Sequence, residues 1–232
     1  SGLNACGFDR NNWVQGGKQG IFEEDNFTSP AYTFRVDYNG VPGLRLGASF
    51  YYCANTTANS DKLTEYNFRA PVRIYTADAQ YKNNIVAARA NFMWGNLTNA
   101  DRVSAVNTKL SNNSPYTRVV PVAKKAVSYG AEVGLNLAGI FAGTRCPVLY
   151  PFARLDYYNT QKECAGLYIA DKRNEVRKWT AGINWFALPN LVVKADYATR
   201  QIGTSKIFGK GKYNSENEFS IGVAYVGWFT KR

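Results

Sequence analysis

The feature that most constrains this chain is a strict alternation of apolar and polar residues, repeated along most of its length. A period of two sends successive side chains to opposite faces of an extended backbone, so the pattern predicts strands with one apolar and one polar face. In Leu191–Gln201, residues Leu191, Val193, Ala195, Tyr197 and Thr199 share one face, while Val192, Lys194, Asp196, Ala198 and Arg200 share the other. In Leu44–Ala54 the apolar face carries Leu44, Leu46, Ala48, Phe50 and Tyr52. The same test predicts strands at 31–39, 71–82, 85–95, 127–138, 148–160, 176–187 and 217–228, about nine in all.

The connectors alternate as well. Short ones fall at 40–43, 83–84, 139–147 and 188–190, and long ones at 55–70, 96–126, 161–175 and 202–216, rich in Asn, Thr, Ser, Lys and Gly. Tight turns at one end and long polar loops at the other are the arrangement of outer-membrane barrels. Aromatic placement points the same way. On the apolar face Tyr32, Phe50, Tyr52, Tyr75, Phe92, Trp94, Tyr129, Tyr157, Trp179 and Phe219 gather near the long-loop end, and Tyr38, Tyr81, Trp185 and Tyr225 near the other. Two aromatic girdles around an aliphatic belt fit a bilayer with amphipathic rings at its interfaces. A soluble sandwich core is the competing reading of the same alternation.

The expected fold is therefore all-β: one domain over 1–232, an antiparallel transmembrane β-barrel. With short turns in the periplasm, the C-terminus falls there too, whereas Ser1–Pro30 belongs to the extracellular side. Nine is an odd count, and bacterial single-chain barrels have even ones. Either a weak strand hides in Trp13–Phe22, or the chain is the C-terminal part of a longer barrel. No run of about 18 apolar residues occurs, so no helical span is expected. With no charged-then-apolar leader at Ser1, any signal peptide is expected to be already removed.

The formal charge of +11 raises nucleic-acid binding. Basic residues are scattered, however, and aromatics follow strand periodicity rather than clustering with Lys and Arg, so no nucleic-acid partner is expected. Lys206, Lys210 and Lys212 form a basic loop without the spacing or the Ser/Thr of a phosphate-binding P-loop. Cys6, Cys53, Cys146 and Cys164 lack metal-site spacing, and with no histidine present neither a metal nor a cofactor is expected. Cys6, Cys53 and Cys164 fall at the long-loop side, leaving a Cys53–Cys164 or Cys6–Cys53 disulfide open, while Cys146 sits in a short-turn connector. The absence of histidine also removes the usual general base of barrel hydrolases, and each acid of the polar face has a basic neighbour that favours its ionised form. No enzyme activity is expected.

Several stretches resemble the phosphate-selective porin O and P family: SGLNACGF at 1–8, VPGLRLGASFYY at 41–52, DAQYKNNIVAARANFMWGNLTNADRV at 78–103, LYPFARLDYYNTQ at 149–161, WTAGINWFALPNLVVKADY at 179–197 and FSIGVAYV at 219–226. They span nearly the whole chain in order. The resemblance implies a trimeric outer-membrane porin of about sixteen or more strands, of which this chain resembles the C-terminal portion. It departs from the family at the end, where Trp228-Phe229 is followed by Thr-Lys-Arg.

The expected function is passive diffusion of small, anion-leaning solutes through a water-filled lumen in the Gram-negative outer membrane, among its lipids and lipopolysaccharide. The alternative is a non-conducting structural barrel within a larger outer-membrane assembly such as a secretion machine. The lumen would be lined by the bases Arg35, Arg45, Lys82, Arg89, Arg154, Lys178, Lys194 and Arg200 and the acids Asp37, Asp78, Glu132, Asp156, Asp196 and Glu218. Three strands repeat a basic-x-Asp pair on that face, Arg35/Asp37, Arg154/Asp156 and Lys194/Asp196, as needed for lateral ion-pair ladders. Such charges either shape the field of a water-filled pore or neutralise one another. The segment 96–126, with Arg102, Lys109, Arg118, Lys124 and Lys125 and with Pro115 and Pro121 breaking regular structure, is expected either to fold into the mouth as a basic constriction or to form a solvated loop.

Overall fold

In the computed structural model, residues 2–18, 28–60, 63, 65–109, 120–141, 148–203 and 214–225 are described. Nine strands form one antiparallel sheet in sequence order: β1 (Ala31–Tyr38), β2 (Leu44–Cys53), β3 (Val72–Lys82), β4 (Val86–Leu97), β5 (Lys125–Leu135), β6 (Val148–Glu163), β7 (Glu175–Leu188), β8 (Leu191–Ile202) and β9 (Asn214–Tyr225). Every neighbour pairs antiparallel, so the chain is a continuous up-and-down meander. The sheet does not close: β1 and β9 are its edges. A barrel closed by this chain alone is thus corrected to an open sheet. No helix is long and apolar enough to cross a membrane among the described residues.

The register joins like with like. Phe34 lies opposite Phe50, Phe50 opposite Tyr75, Tyr75 opposite Trp94, and Phe92 opposite Tyr129. Cross-strand aromatic pairs of this kind are a unit of sheet stabilisation. Phe50 and Tyr75 have ring centroids 4.9 Å apart, Tyr75 and Trp94 5.6 Å, and Tyr129 and Tyr157 4.7 Å. Arg45, Asp78, Arg89, Glu132, Arg154, Lys178 and Arg200 fall together on the opposite face, because a period-two strand held in register cannot mix its faces.

The hydrophobic core is not between sheets. It is a cap at the long-loop end, built from Phe8, Trp13, Leu63, Phe68, Val103, Val106 and Val122 packed on Cys53, Val72 and Leu97 at the strand ends. Helix α1 (Ala100–Lys109) lies inside the segment expected to lack regular structure, a second correction. Ala100, Val103, Ser104, Val106 and Asn107 form its buried face, spaced as one side of a helix. Asp101 in its first turn and Lys109 in its last complement the helix dipole. A one-turn helix α2 (Leu137–Ile140) follows β5. No strand is found in residues 13–18, where Gln15–Gly17 form a 3-10 turn instead; residues 19–22 lie outside the described residues.

Candidate functional site

The polar face is a ladder of charge pairs running across the sheet. Arg35 on β1 reaches Asp37 on its own strand at 2.7 Å and Asp78 on β3 at 2.9 Å, and Arg45 on β2 meets Asp37 at 3.3 Å. The long reach from β1 to β3 depends on Gly47 of the strand between. A Cβ there would sit 2.3 Å from an Arg35 guanidinium nitrogen and 2.7 Å from an Asp78 oxygen. Further along, Glu132 on β5 takes Arg89 of β4 at 2.8 Å and Arg154 of β6 at 3.9 Å, while Arg154 also holds Asp156 at 2.6 Å. Lys178 on β7 meets Glu218 on β9 at 3.4 Å, and Arg200 on β8 meets Glu216 at 3.1 Å. Two of the three basic-x-Asp pairs therefore form as expected.

The third does not. Lys194 and Asp196 make no ion pair among the described residues, and neither does Lys82. Lys194 and Asp196 line a hollow of about 400 Å³ with Arg89, Arg154, Lys178 and Asn184. All the ladder pairs are partly solvent-accessible, so each stabilises little by itself. Together they fix a polar surface whose acids and bases nearly cancel, with Lys82, Lys194 and Asp196 left outside the ion pairs.

The cap stands on this same polar face at the long-loop end. Trp13 lies over Gly95 of β4, where a Cβ would come 2.0 Å from its ring. Its indole Nε1 donates to the Ala123 carbonyl at 2.9 Å. Asn107 on α1 donates from Nδ2 to the carbonyls of Ala5 (3.1 Å) and Phe8 (3.2 Å), and Asn59 donates to those of Ser29 (2.8 Å) and Leu3 (3.2 Å). Thr160 on β6 donates to the Arg10 carbonyl at 2.8 Å. Backbone acceptors of the N-terminal segment are thus satisfied by side chains from α1, from β6 and from the loop after β2. The loop 164–174 is tied in by Gln161, whose Oε1 accepts from the Asp171 amide at 2.9 Å and from Asn174 Nδ2 at 2.8 Å. The Arg173 guanidinium beside Asp171 holds its carboxyl below the ordinary carboxylate range. Burial pushes the Cys164 thiol up.

Of the expected constriction residues, Arg102 and Lys109 lie on the exposed side of α1, away from the sheet, and Arg118 lies outside the described residues. Lys124 and Lys125 converge on Glu163. The element that overlies the polar face is the N-terminal segment, with Trp13 as its anchor, and sequence reasoning missed it. The available signal was local: Trp13 sits among Asn, Gly and Gln, out of step with any strand pattern. Cys6, Cys53 and Cys164 form no disulfide with one another, and Cys146 lies outside the described residues, as do Lys206, Lys210, Lys212, Trp228 and Phe229. No group of metal-ligating side chains occurs among the described residues.

No protein-family model matches the chain, and no curated protein matches it.

Proposed function

We propose that this sheet is part of an outer-membrane porin barrel that lets small solutes, anions favoured, diffuse through a water-filled lumen lined by its polar face. One observation carries the reading: the apolar face is bare. Phe34, Ile221 and Val223 are 66%, 70% and 68% exposed, and Tyr32, Phe92, Tyr129, Trp179 and Trp185 on the same face are exposed too. The chain has a core to build, yet builds it on the polar side. A sheet meant for water covers its apolar face, and a bare apolar surface of this size calls for a partner or a lipid. Girdled aromatics and strands mostly longer than the roughly 9–11 residues that a barrel strand needs favour lipid.

Strand direction supports a larger barrel. β1 and β9 both run towards the short-turn end, so closing one on the other would make a parallel seam. Antiparallel closure needs an odd number of further strands that begin and end in the opposite direction. A second copy in the same orientation supplies nine strands but meets β9 to β1 in parallel, so it does not complete the barrel. The resemblance to phosphate-selective porins fits such a barrel, in a homotrimer or a larger assembly. Lys82, with no ion pair and no unpaired acid beside it among the described residues, favours anions. The test is single-channel conductance of the native protein under a KCl gradient. Stable conductance reversing on the chloride side is expected, and silence from a folded, inserted sample would overturn the pore.

A second reading has its own observation. The cap overlies the long-loop end of the polar face, as a plug would, which favours a non-conducting barrel serving as a subunit of an outer-membrane assembly. Opening by removal of residues 2–18 would separate a plugged pore from a purely structural barrel.

A further inference from the structure

Where the cap meets the sheet, the polar face stops being polar. Tyr51 on β2, Ile74 on β3, Met93 on β4 and Tyr158 on β6 point to the same side as the charge ladder, yet form an apolar floor across four of five consecutive strands. Ser128 fills the β5 position between Met93 and Tyr158. Above this floor the N-terminal segment makes a roof from Trp13, Asn11, Gln15 and Lys18. The space between is about 660 Å³.

Tyr158 Oη accepts from the Arg200 guanidinium at 3.3 Å, and Tyr51 and Ile74 also pack against the cap core, while their remaining surface borders this space. Met93 and Tyr158 are 38% and 39% exposed, facing a watery side where a ladder residue would be expected. A concave, mostly apolar space of a few hundred cubic ångströms with a few convergent polar groups has the general form of a small-molecule site. Its chemistry is specific. Two tyrosine rings, a thioether and an isoleucine offer flat apolar contact, which suits an aromatic ring. Lys18 is the one charged side chain lining the space among the described residues, and it is a cation. Asn11 and Gln15 line the same space.

We infer that this pocket is a binding site for small aromatic monocarboxylates, with the ring on the Tyr51–Ile74–Met93–Tyr158 floor and the carboxylate at Lys18. The site goes beyond the pore reading, and its test is equilibrium binding, so an empty pocket and a silent bilayer are separate results. Doubly charged inorganic anions gain nothing from an apolar floor. Neutral aromatics gain the floor without the lysine.

The experiment is calorimetric titration of the native protein in detergent micelles with benzoate, benzyl alcohol and acetate, and then with variants. Saturable benzoate binding well above that of acetate is expected. Lys18→Gln, an exposed position whose loss leaves the fold intact, weakens benzoate by about threefold to fivefold and leaves benzyl alcohol unchanged, the size of an accessible charge pair. Met93→Ser weakens both aromatics by about fivefold, in line with the apolar area lost. Benzoate binding no better than acetate would overturn the site. So would a Met93→Ser protein that binds like the parent, or decanoate outcompeting benzoate, which would mark an acyl-chain groove instead.

Discussion

Individual side chains decide whether the cap stays on the sheet. Trp13 contributes a buried ring, 4% exposed, and an indole bond to Ala123 across a long sequence separation. Trp13→Ala should cost the cap about 3–5 kcal/mol, the usual penalty for an emptied aromatic site. Gly95→Val should expel the same ring from the other side, since even a Cβ would overlap it. Limited proteolysis reads both: cleavage within residues 2–18 should rise sharply in each variant while the sheet stays protected. Asp171 sets a pH response. Its carboxyl accepts from the Arg173 amide at 2.9 Å, capping the turn Lys172–Asn174, and its folded pKa is depressed. A depressed carboxylate contributes stability above its unfolded pKa of about 3.9 and loses it as pH falls through the lower folded value. The protection factor of the Arg173 amide, its exchange relative to the intrinsic rate at each pH, should therefore be flat from neutral pH to about pH 5 and fall below about pH 4. Asp171→Asn, which keeps an acceptor but cannot titrate, should abolish that fall. Ladder residues such as Arg35, Glu132 and Arg154 were legible in the sequence because alternation alone assigns their face. Trp13, Gly95 and Asn107 were not, because their roles depend on where a non-repeating segment folds back.

Among the elements, the strands were the legible part. Strands expected at 71–82 and 191–201 are found at Val72–Lys82 and Leu191–Ile202, and the strand expected at 217–228 is found over Asn214–Tyr225, with 226–228 outside the described residues. The period-two signal is strong there because one face has to be apolar throughout. Helix α1 was hidden for an opposite reason. Its buried face contains Ser104 and Asn107, so its apolar stripe is thin, and the prolines beyond it drew the whole segment into one long loop. Ser104 is polar because it works: its Oγ accepts from the Val122 amide at 2.9 Å and donates to the Ala100 carbonyl at 2.7 Å. The two faces of the sheet give a direct contrast. Ala131→Lys places a charge on the apolar face and should cost about 2–4 kcal/mol if that face lies in lipid near the bilayer midplane. Thr180→Lys, on the polar face of β7 in the hollow that Asp156 and Asp196 line, should cost much less. Equilibrium urea titration of folding into lipid vesicles measures both.

At the scale of the whole molecule, the sequence shows two-faced strands but not what they enclose. Alternation is the same for an open sheet, a closed barrel and a sandwich half. Closure depends on the count and direction of strands, and β1 and β9 running the same way leave a seam that these nine strands cannot close antiparallel. What the three-dimensional arrangement adds is the side on which the chain spends its own apolar residues. The cap covers the polar face at one end, and the apolar face is left to its surroundings. The central claim is that those surroundings are lipid and that the polar face is wet. Cysteine scanning along β8 of the membrane-embedded protein, from Val193 to Tyr197, tests it residue by residue. A polarity-sensitive probe should report lipid at Val193, Ala195 and Tyr197 and water at Lys194 and Asp196, which line the polar hollow, in strict alternation. Water at every position, or lipid on the Lys194 and Asp196 side, would contradict the account.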